Sequence, residues 1–151
     1  MAERPVSEDK KTTTYEATGI VRAGGQGRLD AHGLSTSFDG TAGRVDQLPG
    51  PADVLCAALC ACVLKNVERF SHLLQFNYES AAVKVTAERA EPPPRITRMR
   101  YVLEIVTDEP PTRVDLLQRN IAQFGTITNT LSKACEVTGS IHAVSTREIS
   151  P

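Results

Sequence analysis

The chain carries four cysteines, and three of them, Cys56, Cys60 and Cys62, lie within seven residues of one apolar segment, VLCAALCACVL. Thiols do chemistry as thiolates, which attack peroxides and disulfides once a nearby cation or helix dipole lowers their pKa. The fourth, Cys135, stands far along the chain. A secreted disulfide framework would spread its cysteines between loops, so this crowding reads as an intracellular pattern. Zinc is disfavoured, because C-x3-C-x-C on one helix cannot converge three thiolates on a tetrahedral ion. At about 100° per residue on a helix, Cys56 and Cys60 share a face and Cys62 points nearly opposite Cys60. A Cys60–Cys62 disulfide is therefore disfavoured. Free cysteine also serves as a small buried hydrophobe. Plain packing is the reading for Cys56 and Cys60, while Cys62 stays open to packing or to chemistry.

Other reactive patterns are weak. His32, His72 and His142 are scattered and read as solvated side chains. No G-x-S-x-G elbow occurs to carry a serine nucleophile. The glycines of AGGQG, residues 23 to 27, are not followed directly by a helix, so they read as a turn and not as a phosphate loop.

A long helix must position the clustered thiols. Pro51 suits a first helical position, where its missing N–H costs nothing. Asp53 falls in the first turn, where a carboxylate favours the helix dipole. The helix is predicted to run from Pro51 to about Leu74. Its first half is apolar on every side and should be buried all round, either by two layers of the same chain or by a second subunit. In its second half Val63, Val67, Phe70 and Leu74 form one stripe, with Lys65, Glu68 and Arg69 off it.

Residues 1 to 11 are polar and aperiodic and read as a flexible tail. Thr12 to Arg22 is predicted as a strand, and RLDAHGLSTSFDG as a second extended segment broken at Gly33. Residues 41 to 50 read as a loop. After the long helix, Ala81, Val83, Val85 and Ala87 alternate with Lys84, Thr86 and Glu88. Met99, Tyr101, Leu103 and Ile105 repeat that pattern beyond the PPPR connection, giving an antiparallel pair. A helix follows Pro110 and Pro111, with Val114, Leu117, Ile121 and Phe124 at helical spacing and Gly125 placed to end it. Thr126 is expected to cap a short helix, TITNTLSKA, before a last strand near CEVTGSIHAV. The order is α+β, with residues 12–151 as a single domain.

With 151 residues, 40% of them hydrophobic and 23% charged, the chain is long enough for a core without metal or disulfide staples. A net charge of -1 and the lack of Trp argue against a nucleic-acid partner. The longest apolar run, Val54 to Leu64, is far short of the roughly 20 residues that span a bilayer, and no secretory signal is visible. A cytoplasmic protein with no membrane association is expected.

The segment GPADVLCAALCAC resembles the central-helix motif of the osmotically inducible protein C / organic hydroperoxide resistance superfamily. There a proline and an acidic residue open the helix, and a Leu-Ala-Ala-rich turn and a buried cysteine follow. Aligned on Pro51, Asp53, Leu55 and Ala57–Ala58, the family's reactive cysteine falls on Cys62. NTLS near the C-terminus matches as well, so the resemblance spans roughly Tyr15 to Val144.

The resemblance implies an α+β fold in which antiparallel sheets wrap long central helices in an intertwined homodimer, with sites at the subunit interface. It implies a thiol-dependent reductase of organic hydroperoxides, serving oxidative stress defence. Cys62 would be the nucleophile, oxidised to a sulfenic acid beside an apolar pocket. An arginine from the N-terminal strands and an acidic residue near the helix start would organise the thiolate. The candidates are Arg28, with Arg22 and Arg44 as alternatives, and Asp53. No cofactor is implied beyond an external thiol or dithiol reductant.

Two departures qualify the match. The hydroperoxide reductases have glutamate directly after the helix-start proline, where this chain has Ala52. Their resolving cysteine aligns with Gly125. Sliding the alignment would give that role to Cys135 instead, at the loss of the NTLS match. The alternative function is therefore a non-catalytic dimeric protein that binds an apolar small molecule, or a redox sensor, on the same fold without the resolving cysteine.

Overall fold

A computed structural model describes residues 11–149. The tail expected over residues 1 to 11 lies outside them except for Lys11. The chain forms two compact units, divided between Gly50 and Pro51.

The first unit is an antiparallel sheet of β1 (Thr18–Val21), β2 (Gln26–Ala31) and β3 (Leu34–Asp39) in that order. Gly24 and Gly25 turn the chain into β2 with φ of 99° and 103°, a region that glycine enters without strain. His32 and Gly33, both at positive φ, make the two-residue hairpin between β2 and β3. The break expected at Gly33 is this turn. The strand expected from Thr12 begins only at Thr18, because its pairing starts at Thr18↔Asp30 and β2 ends one residue later. Phe38 lies across Gly27, its cross-strand partner, where a side chain would collide with the ring. The Asp39 carboxylate closes the following loop by accepting from the backbone N–H groups of Thr41 and Val45, at 2.9 and 2.6 Å.

The second unit holds the thiols. It comprises α1 (Pro51–Leu74), β4 (Ser80–Ala90), β5 (Arg95–Val106), α2 (Pro111–Phe124), α3 (Thr126–Leu131) and β6 (Glu136–Val144). β4 and β5 pair antiparallel, in the expected alternation: Val83 and Val85 pack inward, while Lys84, Thr86 and Glu88 are exposed. β6 joins the other edge of β5 in parallel, a direction that the local pattern leaves open. A parallel neighbour requires a crossover, and α2 with α3 supply it.

The core lies between α1, α2 and the sheet. Leu59, Val63, Val67 and Phe70 meet Met99, Tyr101, Leu103 and Ile105 of the central strand and Val114, Leu117 and Ile121 of α2. Complete burial of each large side chain stabilises the fold by about 1.5–3 kcal/mol. At the end of α1, Arg113 donates to the carbonyls of Leu74 and Gln75 at 2.6 and 2.9 Å, and so ties α2 to the long helix.

Two apolar patterns are only partly covered within this unit. Phe124, at the last turn of α2, is 46% exposed and rests against Phe70 at a ring separation of 5.6 Å instead of entering the core. The first half of α1 is not buried all round. Ala57 and Ala61 are exposed and Cys56, Cys60 and Cys62 are half-buried, because the core of this unit takes up only one side of the helix.

Candidate functional site

Cys62 faces the junction of α2 and α3. One helical turn onward, Asn66 directs its amide Nδ2 at the Cys62 sulfur from 3.8 Å. Thr128 of α3 approaches the same sulfur with its hydroxyl at 4.0 Å. Gly125 completes the surround. A Cβ added there would stand 3.0 Å from Cys62 Sγ, 2.9 Å from Thr128 Oγ1 and 3.1 Å from Asn66 Nδ2.

The geometry corrects the reason for Gly125. Its φ of -76° and ψ of 125° are extended, not the left-handed conformation that makes glycine a favoured helix stop. Glycine here leaves space beside a thiol. Thr126 likewise is the first residue of α3 and not its cap, which is Gly125.

Tyr101 is another polar group buried in this core. It is 2% exposed, its ring lies over Gly139 of β6, and its hydroxyl accepts from Gln118 at 3.3 Å. Burial pushes its phenol pKa up, the Gln118 hydrogen bond lowers it, and charge on Cys62 adds to the upward push.

The remaining thiols have other surroundings. Burial, followed by the Asp53 carboxylate and Cys60, pushes the Cys56 thiol above its ordinary pKa, so it stays protonated. Cys135 donates to the Leu131 carbonyl at 3.5 Å and packs against the core. All four cysteines are free. The position whose side-chain direction leads to Cys62 is thus 125.

Of the charged candidates, Asp53 shares the unit of Cys62, while Arg22, Arg28 and Arg44 belong to the first unit. Asp53 precedes Cys62 by nine residues on one helix, which amounts to about 13 Å along the axis and nearly opposite faces. Arg28 lies in the first unit, with its guanidinium paired to Asp30 at 3.1 Å. Arg44 pairs with Asp46 at 3.2 Å, and Arg22 is exposed. The three histidines are exposed as expected.

Asn66, Thr128 and Tyr101 carry no role in the sequence reading. Asn66 did leave a signal, since it falls among Val63, Val67 and Phe70 on the buried stripe, where a polar residue is unusual.

The OsmC-like protein family model matches residues 44–140. The chain belongs to this family. Among solved structures, an OsmC-like protein from Mycoplasma pneumoniae superposes with a TM-score of 0.80 at 15% identity, covering 89% of this chain and 99% of that one. An organic hydroperoxide resistance protein OsmC from Legionella pneumophila gives 0.69 at 13%, with 88% and 100% covered. An organic hydroperoxide resistance protein from Elizabethkingia anophelis gives 0.68 at 17%, with 88% and 99% covered. At these identities the likeness establishes the fold, an OsmC-type α+β architecture. No curated protein matches the chain. Among the described residues, no helix is long and apolar enough to cross a membrane.

Proposed function

We propose that the protein is a thiol-dependent reductase of organic hydroperoxides, acting in the cytoplasm, with Cys62 as its nucleophile. The observation that carries this reading is Cys62 itself, a half-buried thiol at the family's reactive position with the buried Asn66 amide and Thr128 hydroxyl turned toward its sulfur. Deprotonated Cys62 attacks the hydroperoxide, the O–O bond breaks, and the sulfur gains an oxygen while an alcohol leaves after taking a proton. An external thiol then condenses with the sulfenic acid, releasing water, and a second thiol equivalent frees Cys62 by exchange.

Arg28 is the proposed activating cation. Its pair with Asp30 is solvent-exposed, at 63% and 43%, and water screens such pairs, so the guanidinium is readily redirected. Asp53 cannot reach Cys62 along its own helix, and its role in this scheme needs a homodimer that brings in the second subunit. The exposed Ala57 and Ala61 face of α1 suits that arrangement.

A second reading is favoured by Gly125, which supplies no resolving thiol: a binding protein or redox sensor on the same fold. Turnover separates the two. Consumption of cumene hydroperoxide with a thiol supplied is expected, lost in Cys62→Ser and kept in Cys60→Ser. Stoichiometric capping of Cys62 without turnover points to a sensor, and an inert Cys62 to a binding protein.

A further inference from the structure

Asn66 and Thr128 are 7% and 6% exposed. A buried donor needs a good acceptor, and a neutral thiol is a weak one. Their contacts to Cys62 Sγ, 3.8 and 4.0 Å, are long even for sulfur. A buried amide donor and a buried hydroxyl converging on a weak acceptor suit a state of Cys62 other than the neutral thiol. An oxygen bonded to that sulfur would lie nearer both donors, within the ordinary hydrogen-bond range of about 2.7–3.2 Å. Gly125 keeps the space open, since a Cβ there would crowd Sγ, the amide and the hydroxyl together.

We infer that Asn66 and Thr128, with the side-chain-free Gly125, form a cradle for the oxygen that Cys62 acquires, and that a small external monothiol discharges the resulting sulfenic acid. The inference rests on the hydroperoxide-reductase reading and deepens it. In the first step the thiolate takes one oxygen, the O–O bond breaks, sulfur is oxidised by two electrons and the hydroperoxide is reduced to its alcohol. The sulfenate formed accepts from the Asn66 amide and the Thr128 hydroxyl. In the second step the sulfenate takes a proton from solvent and a monothiol attacks this sulfur; an S–S bond forms, the S–O bond breaks, and the oxygen leaves as water with the proton of the thiol. A second monothiol molecule attacks the mixed disulfide, returns Cys62 as the thiol and leaves as the symmetric disulfide. Asn66 and Thr128 are positioning residues for the oxidised sulfur, and the glycine at 125 supplies no internal thiol to resolve it.

The test follows the lifetime of the intermediate. Full-length reduced protein receives one equivalent of cumene hydroperoxide without thiol. Sulfenic acid at Cys62 is captured by dimedone at successive times and located by peptide mass spectrometry. Wild type is compared with Thr128→Val, which keeps the side-chain shape, and with Asn66→Leu. Circular dichroism melts establish that each variant is folded, and Thr128→Val reports even where Asn66→Leu does not fold.

The expected result is a persistent sulfenic acid in wild type that 2-mercaptoethanol converts to a mixed disulfide at Cys62. Each variant should shorten the lifetime about tenfold, the factor set by losing one hydrogen bond to a charged group. Unchanged lifetimes in folded variants overturn the cradle while leaving the reductase reading intact. Rapid formation of a Cys62–Cys135 disulfide in wild type overturns the monothiol step. A wild-type Cys62 that is never oxidised overturns the reductase reading and the inference together.

Discussion

Replacing Gly125 by cysteine should close a disulfide to Cys62. The Cβ of residue 125 falls 3.0 Å from Cys62 Sγ. In a disulfide with an S–S bond of about 2.04 Å, a Cβ lies roughly 3 Å from the far sulfur, so the new side chain arrives near bonding geometry. The extended backbone at Gly125 accepts any residue. The crowded neighbours, Thr128 Oγ1 and Asn66 Nδ2, are side-chain ends that can rotate. Closing a loop of roughly 60 residues removes enough unfolded-state entropy to stabilise the protein by about 4 kcal/mol on the chain-entropy scale. At about 2–4 °C per kcal/mol for a chain of this size, the oxidised variant should melt roughly 10 °C above its reduced form. Thiol titration before and after mild oxidation counts the bond, and peptide mapping places it. A variant that retains all its thiols, or that pairs position 125 with Cys60 or Cys135, would refute the placement of the α2–α3 junction against Cys62.

Other outcomes follow from particular contacts. Gly139→Ala would thrust a methyl into the buried Tyr101 ring and should cost about 1–3 kcal/mol by overpacking, measured by urea denaturation; no loss would contradict the ring's position. The Tyr78 hydroxyl donates to Glu68, and this bond, with burial and the carboxylate's charge, raises its pKa to about 12. The raised folded value means that this contribution to stability is complete below the unfolded value near 10 and is lost as pH rises through about 12. Ultraviolet titration should show the Tyr78 transition moving down in Glu68→Gln, and an unmoved transition would break the pairing. Glu68 itself is held below the ordinary carboxylate range by the Tyr78 hydroxyl first and then His72, and Asp108 by the hydroxyls of Thr146 and Ser145. Stability from these groups is present above about pH 4 and should decline as pH falls through their depressed folded values, visible as a falling melting temperature that Asp108→Asn makes less steep.

The elements were legible wherever a period was sustained. The stripe Val63, Val67, Phe70 fixed the face of α1, and the alternation through Met99, Tyr101 and Leu103 fixed that of β5, because each run buries one face only. Pairing partners were less legible. The parallel direction of β6 and the late start of β1 depend on neighbours that local pattern does not encode. The site divided in the same way. The helix motif singles out Cys62 as a candidate, and the spacing to NTLS singles out Gly125. The reason for that glycine, space beside a thiol, needs three segments brought together. Asn66 and Thr128 are ordinary residues in the sequence, and only their burial against a sulfur marks them. The apolar start of α1 is covered on one side by the core of its own unit, and the local pattern does not encode what meets its other side.

The most direct measurement is the reaction of reduced protein with a slight excess of an organic hydroperoxide, with sulfenic acid trapped and located by peptide mass spectrometry. Fast oxidation confined to Cys62, with Cys56, Cys60 and Cys135 left reduced, is the result expected of a peroxidatic site. A folded protein whose Cys62 stays reduced would contradict it and leave a binding protein on the OsmC fold.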